Sequence, residues 1–279
     1  MNTRTFSRSL VALSLLLGSS ALGCGRLAAN SEAVDAATEA LATDGSEAVS
    51  SNDASTGALT DTSIEAVSAD PVDAAKALAI APPDAADGAC RSRAKDPNDP
   101  ATVIITLTDC TGRFGKHHVS GTEIVHFSKG EGPTLHADFH SENLTFDGTP
   151  ASHVASADIT FAEGTRTIVW QGSLQREGKN GGAVDHSSDL TIVVDTVTHC
   201  RTRNGSAVTS FGDHEIDTSF QDVKVCRDPG GAFGCPTGEV THTNAANGKQ
   251  ITVTFDGSDQ AVITGPKGQT FEKDLVCGG

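Results

Sequence analysis

From Cys90 onward, apolar and polar positions alternate in short runs broken by Gly, Asn and Asp. Residues 103–107, 119–127, 135–146, 154–161, 167–174, 190–197, 207–211, 216–225, 239–242, 251–255, 261–264 and 271–276 read as strands, rich in Val, Ile, Thr and Phe. Asp147-Gly148, Asn204-Gly205, Asn247-Gly248 and Asp256-Gly257 are hairpin-type turn signals, because Gly takes positive φ at little cost. No stretch beyond residue 90 holds a helical period over a dozen residues. Consecutive strands on short links predict an all-β fold: an antiparallel meander of about twelve short strands. Such a meander is barrel- or sandwich-like, with an elongated curled sheet as the alternative.

The pattern before Cys90 is different. Residues 24–89 are dominated by Ala, Ser, Asp, Glu and Thr and contain no aromatic side chain. Residues 25–88 hold twelve acidic residues and two basic ones, Arg26 and Lys76. Such a segment buries too little apolar area to offset chain entropy, and its like charges extend it, so it reads as a disordered tether. The Ala-rich piece 31–42 is suited to transient helix. Glu-Ala-Val recurs at 32, 47 and 65 at unequal spacing, which is compositional drift rather than a structural repeat. Pro82-Pro83, Pro97 and Pro100 mark the tether's exit.

At the start, Arg4 and Arg8 precede the apolar run Leu10 to Leu17, then small residues, then Ala21-Leu22-Gly23-Cys24. The run is far too short to span a bilayer and reads as a processed export signal. This segment resembles the signal of bacterial lipoproteins, in which a lipobox ends in Gly or Ala followed by Cys. The resemblance covers the N-terminal segment alone. It implies cleavage before Cys24, diacylglycerol on the Cys24 thiol and acylation of the new amino terminus. Several acyl chains anchor stably where one does not. Gly25 follows the cysteine in place of the Asp that marks inner-membrane retention, so the resemblance implies an outer-membrane destination. The chain therefore divides into a signal peptide (1–23), a tether (24–89) and a disulfide-stabilised β domain (90–279).

Six cysteines remain: Cys90, Cys110, Cys200, Cys226, Cys235 and Cys277. An even number in an exported chain reads as a disulfide framework, with 15 connectivities open. A hairpin turning near Asp213 sets Cys200 opposite Cys226, provided that Asn204-Gly205 is a bulge rather than a turn. Cys235 and Cys277 bracket four strands, and pairing them demands strong curl or a Greek-key return. Cys90 then takes Cys110. The local alternative joins Cys226 to Cys235.

Charge narrows the partners. The net charge is −16 overall, and the first 23 residues carry +2, which leaves −18 on the remainder. That disfavours nucleic acid and a basic grip on anionic lipid. The expected partners are the membrane, through the lipid anchor, and an unidentified protein, glycan or lipid ligand.

Candidate chemistry is sparse. Alternation puts His136, Asp138 and His140 on one face, with Leu135, Ala137 and Phe139 on the other. A hairpin over residues 128–134 pairs Phe127 with Leu135 and sets His126 beside His136. Together His126, His136, Asp138 and His140 are a candidate zinc or copper site, against the reading of a solvated sheet face. His117-His118 adds imidazoles near a turn. Arg201, Arg203, Lys224 and Arg227 cluster at the Cys200/Cys226 end as a candidate anion site for a sugar carboxylate or phosphate. His214-Glu215 lacks the second His of H-E-x-x-H, since Thr218 stands there. No G-x-S-x-G, P-loop or paired C-x-x-C occurs, and no catalytic residue or required cofactor is assigned. Trp170 reads as core or rim rather than a sugar platform. Two classes stay open: a non-catalytic, lipid-anchored envelope protein, and a tethered hydrolase or metal-dependent enzyme.

Overall fold

The computed structural model describes residues 70–80, 90–111, 118–177, 182–212, 214–227, 234–275 and 277. Cys24, the signal, residues 31–42 and His117 lie outside the described residues. Among the described residues, one helix, α1 (Pro71–Ile80), precedes thirteen strands. These are β1 (Arg91–Lys95), β2 (Thr102–Thr111), β3 (His118–Lys129), β4 (Thr134–Phe146), β5 (Thr149–Ala162), β6 (Thr165–Glu177) and β7 (Ala183–Asp195), then β8 (Cys200–Phe211), β9 (His214–Cys226), β10 (Thr237–Asn244), β11 (Gln250–Asp256), β12 (Gln260–Thr264) and β13 (Thr270–Asp274).

All thirteen strands form one antiparallel meander in sequence order, with β1 and β13 at its two edges. The fold is thus all-β, as the alternation predicts, in the form of a single unclosed sheet. The middle strands, β3 to β9, run 12–14 residues and are longer than the apolar runs suggest. Pairing continues through polar stretches because each backbone group keeps its ladder partner whatever the side chain. Three of the four Asn/Asp-Gly signals sit at hairpin turns; Asn204-Gly205 instead lies within β8, beside a register shift.

Within the segment read as tether, residues 71–80 form a helix. Asp70 caps α1, its Oδ1 accepting from the backbone N–H groups of Val72 and Asp73 at 3.0 Å, with Pro71 in the first turn. Ala74, Ala75 and Leu78 are fully buried against the first three strands. Sequence composition concealed this because only three apolar positions are needed where a ready-made sheet face receives them.

One face of the sheet forms the core. Val125 and Phe127 of β3, Leu135, Ala137 and Phe139 of β4, Ile168 and Trp170 of β6, and Leu190 and Ile192 of β7 belong to one buried cluster with α1. A smaller cluster joins Val240, Val253, Ala261 and Leu275. A flat four-strand unit would hold the two ends of β10–β13 roughly 14 Å apart. Cys235 and Cys277 nevertheless form a disulfide with Cα atoms 5.2 Å apart, so this part of the sheet curls tightly. Cys200 and Cys226 are bridged directly across β8 and β9 (Cα–Cα 3.9 Å), and Cys90 is joined to Cys110 (5.1 Å). Three disulfides place the protein in an oxidising, non-cytoplasmic compartment. Among the described residues, no helix is long and apolar enough to cross a membrane.

Bulges supply the curl. Asp109, Asn143 and Asp222 occupy positive φ where the register of β2, β4 and β9 shifts. Gly121 (φ 139°) faces the Asn143 bulge, where a Cβ would strike the backbone of Asn143 and Leu144; Gly205 (φ 137°), beside the β8–β9 shift, lies against β7, where a Cβ would strike the backbone of Asp189 and Leu190. Gly205→Ala is therefore expected to cost about 1–3 kcal/mol or more. Urea unfolding checks this; a change within 0.5 kcal/mol or so would mean that the bulge relaxes freely.

Candidate functional site

The His136 face is outward. β4 turns Leu135, Ala137 and Phe139 into the core and leaves His136, Asp138 and His140 on the solvent side. The observed pairing sets Phe127 opposite Ala137, so His126 faces Asp138 and His136 faces Ser128. This corrects the expected register by two residues, because β3 runs on to Lys129 and the hairpin closes by Gly130 N–H donating to the Thr134 carbonyl. A two-residue slip preserves which face each side chain takes.

His126, His136 and His118 on this face each meet a carboxylate. His136 Nδ1 lies 2.7 Å from Asp158 Oδ1, and its Nε2 lies 3.2 Å from Asp138 Oδ1. The hydrogen bond to Asp158 raises the His136 pKa; partial burial opposes this, and the charge of Asp138 assists it. His126 Nδ1 lies 2.9 Å from both Asp99 Oδ2 and Thr102 Oγ1. Hydrogen bonds from the Thr102 hydroxyl and the Ala101 N–H hold Asp99 below the usual carboxylate range. His118 Nδ1 meets Asp109 at 2.7 Å. Among the described residues, no three His, Cys, Asp or Glu side chains converge on a point where an ion would sit.

The inner face carries a belt of polar residues that the sequence reading passed over. His153 Nδ1 donates to Glu123 Oε1 at 2.7 Å, and both side chains are wholly buried. The His153 backbone N–H donates to Ser141 Oγ at 2.7 Å. In register, His153 and His186 flank Leu174 from either side, and His186 Nδ1 bonds Thr209 Oγ1 at 2.8 Å. Further along, Thr218 Oγ1 and His242 Nδ1 lie 2.9 Å apart. Burial, then the charges of His153 and Arg176, push His186 down to about 3. Burial alone lowers His242 to about 4.

Trp170 binds the belt to the apolar core. Its indole lies over Gly172, where an added Cβ would meet Nε1 at 2.7 Å. The neighbouring positions in that row are Ala155, Ser188 and Ala207, all small, so the ring fits without displacing a strand. Nε1 donates to Ser188 Oγ at 3.3 Å, and the ring stacks on His153 (6.0 Å, 11°) and meets Phe139 at 5.1 Å. Trp170 is therefore core.

A Glu–His pair is the orienting half of a nucleophilic triad. Here Glu123 Oε2 and His153 Nε2 have no hydrogen-bond partner among the described residues, and neither side chain touches solvent. The pair can hold charge and fix register; in this conformation it offers a substrate no access.

Charge is partitioned between the two faces. Arg91, Arg93, Arg166, Arg176, Arg201 and Arg203 all occupy the inward register, opposite Leu107, Ile105, Val194, Val184, Val225 and Val223. Among the described strand residues, Glu123 is the one carboxylate in that register. The candidate anion cluster is thereby split. Arg201 and Arg203 face inward, whereas Lys224 is outward and exposed, opposite Thr202. On that face lies Asp195, whose pKa is lowered chiefly by hydrogen bonds from Thr198 and further by the charge of Lys224. Arg227 is tied through its backbone N–H to the His199 carbonyl.

These features define a disulfide-stapled, open antiparallel β-meander with a polar, arginine-rich inner register. Comparison with protein-family models, with curated proteins and with solved structures finds no match.

Proposed function

We propose that the chain is an exported, lipid-anchored envelope protein whose β domain is a non-catalytic binding module. One observation carries this reading: the six cysteines after Cys24 are consumed in three disulfides with one another. Cys24 is then the odd cysteine, at the end of a lipobox-type signal, and thioether acylation accounts for it. The outward His126 and His136, each paired with a carboxylate, and the sealed Glu123–His153 pair support binding over catalysis.

The test is expression with the native signal in a Gram-negative host, followed by fractionation and intact mass. The expected product lacks residues 1–23, carries acyl mass at its amino terminus and sediments with outer membranes. Cys24→Ala abolishes the acyl mass and the cleavage before residue 24. A non-acylated, soluble wild-type product cut elsewhere would overturn the anchor.

A further inference from the structure

The last four strands stand apart from the rest of the sheet. β10 to β13 hold 8, 7, 5 and 5 residues, against 12–14 in β3 to β9. Their buried apolar side chains, Val240, Val253, Ala261 and Leu275, make the smaller cluster, and all five residues of β13 are exposed. Among the described residues, Phe220 of β9 alone packs against both clusters.

The seam between β9 and β10 is thinly held. On its inward side Phe220 opposite Val240 is flanked by two pairs that each contain a polar residue, Thr218 opposite His242 and Ile216 opposite Asn244. The register also shifts between Thr237 and Glu239. Between β4 and β5, by contrast, the inward pairs Leu135–Ile159, Ala137–Ala157 and Phe139–Ala155 follow one another and are all apolar. Segments with few buried apolar contacts open locally, at less free energy than global unfolding requires.

The Cys235–Cys277 bridge closes this unit. Cys235 precedes β10 and Cys277 follows β13, 42 residues on, so the bond ties the last strand back to the first. It is also the bridge within reach of a reagent. Cys235 and Cys277 are both half-buried, whereas the other two bridges each contain a buried cysteine, Cys110 at 0 % and Cys200 at 7 % exposure. Thiol–disulfide exchange needs an approach to sulfur, and exposed disulfides are the labile, regulatory ones.

We propose that Cys235–Cys277 is a redox latch, and that its reduction by a dithiol releases β10–β13 as a flap while β1–β9 stay folded. In the exchange, a thiolate of the dithiol attacks one sulfur and forms a mixed disulfide, which its second thiol resolves. Cys235 and Cys277 gain two electrons and two protons and become thiols, and the dithiol leaves as a disulfide. Removing the closure of a 42-residue loop favours opening by about 100-fold. The open flap uncovers the β9 edge together with Phe220 and Val223, which pack against the smaller cluster when the flap is shut. The latch goes beyond the binding-module reading and does not depend on the anchor: it controls access to that edge of the domain.

The experiment treats the exported, oxidised chain with dithiothreitol under native conditions, followed by alkylation, peptide mass mapping and amide hydrogen exchange. Cys235 and Cys277 are expected to alkylate at least about tenfold faster than the other four bridged cysteines. Amides of β10 to β13 then exchange about 100-fold faster, and those of β4 to β7 keep their protection. Cys235→Ser with Cys277→Ser reproduces that exchange pattern without reductant. The unaltered chain carries the test even where the double variant does not accumulate. Earlier or equal alkylation of Cys90, Cys110, Cys200 or Cys226 would overturn the latch. Exchange in β10–β13 that reduction leaves unchanged, or loss of protection across the whole sheet, would do so as well.

Discussion

Glu123→Ala is expected to lower stability by about 3–5 kcal/mol, because it strands His153 in a site with no solvent contact. The Glu123 and His153 side chains are 0 % exposed and 2.7 Å apart, so each provides the other's compensation. The penalty comes from the orphaned partner more than from the bond that is lost. Replacing both partners, as in Glu123→Leu with His153→Phe, therefore costs much less than the sum of the single changes, and the introduced phenyl group keeps a ring against Trp170. A double-mutant cycle by urea unfolding reads the difference. Additive losses would show that the two groups are not coupled.

Acid is expected to destabilise the domain from about pH 6.5 downward, a range that starts above the titration of its carboxylates. His186 and His242 are held down to about 3 and about 4, against 6.5 for an unperturbed histidine. Below pH 6.5 the unfolded chain takes up protons that the folded chain refuses. Their contribution is therefore intact at pH 7 and is lost as pH falls toward 4, by roughly a factor of ten in the folding equilibrium per histidine per pH unit. From about pH 6 to about pH 4 the loss is on the order of 5 kcal/mol for the two together. His136 runs the other way: its pKa is raised, so its contribution is present below 6.5 and fades as pH rises through the folded value. Because it is partly exposed, that effect is the smaller one. Urea midpoints at about pH 7, 6, 5 and 4 give the slope, and Gln at both 186 and 242 flattens it. A wild-type midpoint that is level across this range would contradict the prediction.

Much of the fold was legible because strand alternation is a local property. Leu135, Ala137 and Phe139 read inward and His136, Asp138 and His140 outward from period two alone, and the structure agrees. The Cys200–Cys226 register was legible by counting from a turn, with the bulge beside Gly205 that the counting required. β1 was not legible: Arg-Ser-Arg-Ala-Lys has no apolar run, and it forms a strand because β2 offers an open edge and α1 covers Arg91's side of it. The first half of β7 was missed for a related reason, since its inward positions include His186 and Ser188. The signal for the polar belt was nonetheless present: Glu123 is in phase with Val125 and Phe127, and His153 with Ala155, Ala157 and Ile159.

By itself, the sequence determined the class of fold, the acidic character and the even cysteine framework, because alternation, composition and parity are all read along the chain. Only the tertiary structure decided that Glu123 meets His153 thirty residues away, that Trp170 fits a row of small residues, and that Lys224 parts company with Arg201 and Arg203. Those outcomes depend on register and on the curl imposed by the bulges. Both are set by the joint packing of many strands, and a single residue's neighbours in sequence carry no record of it.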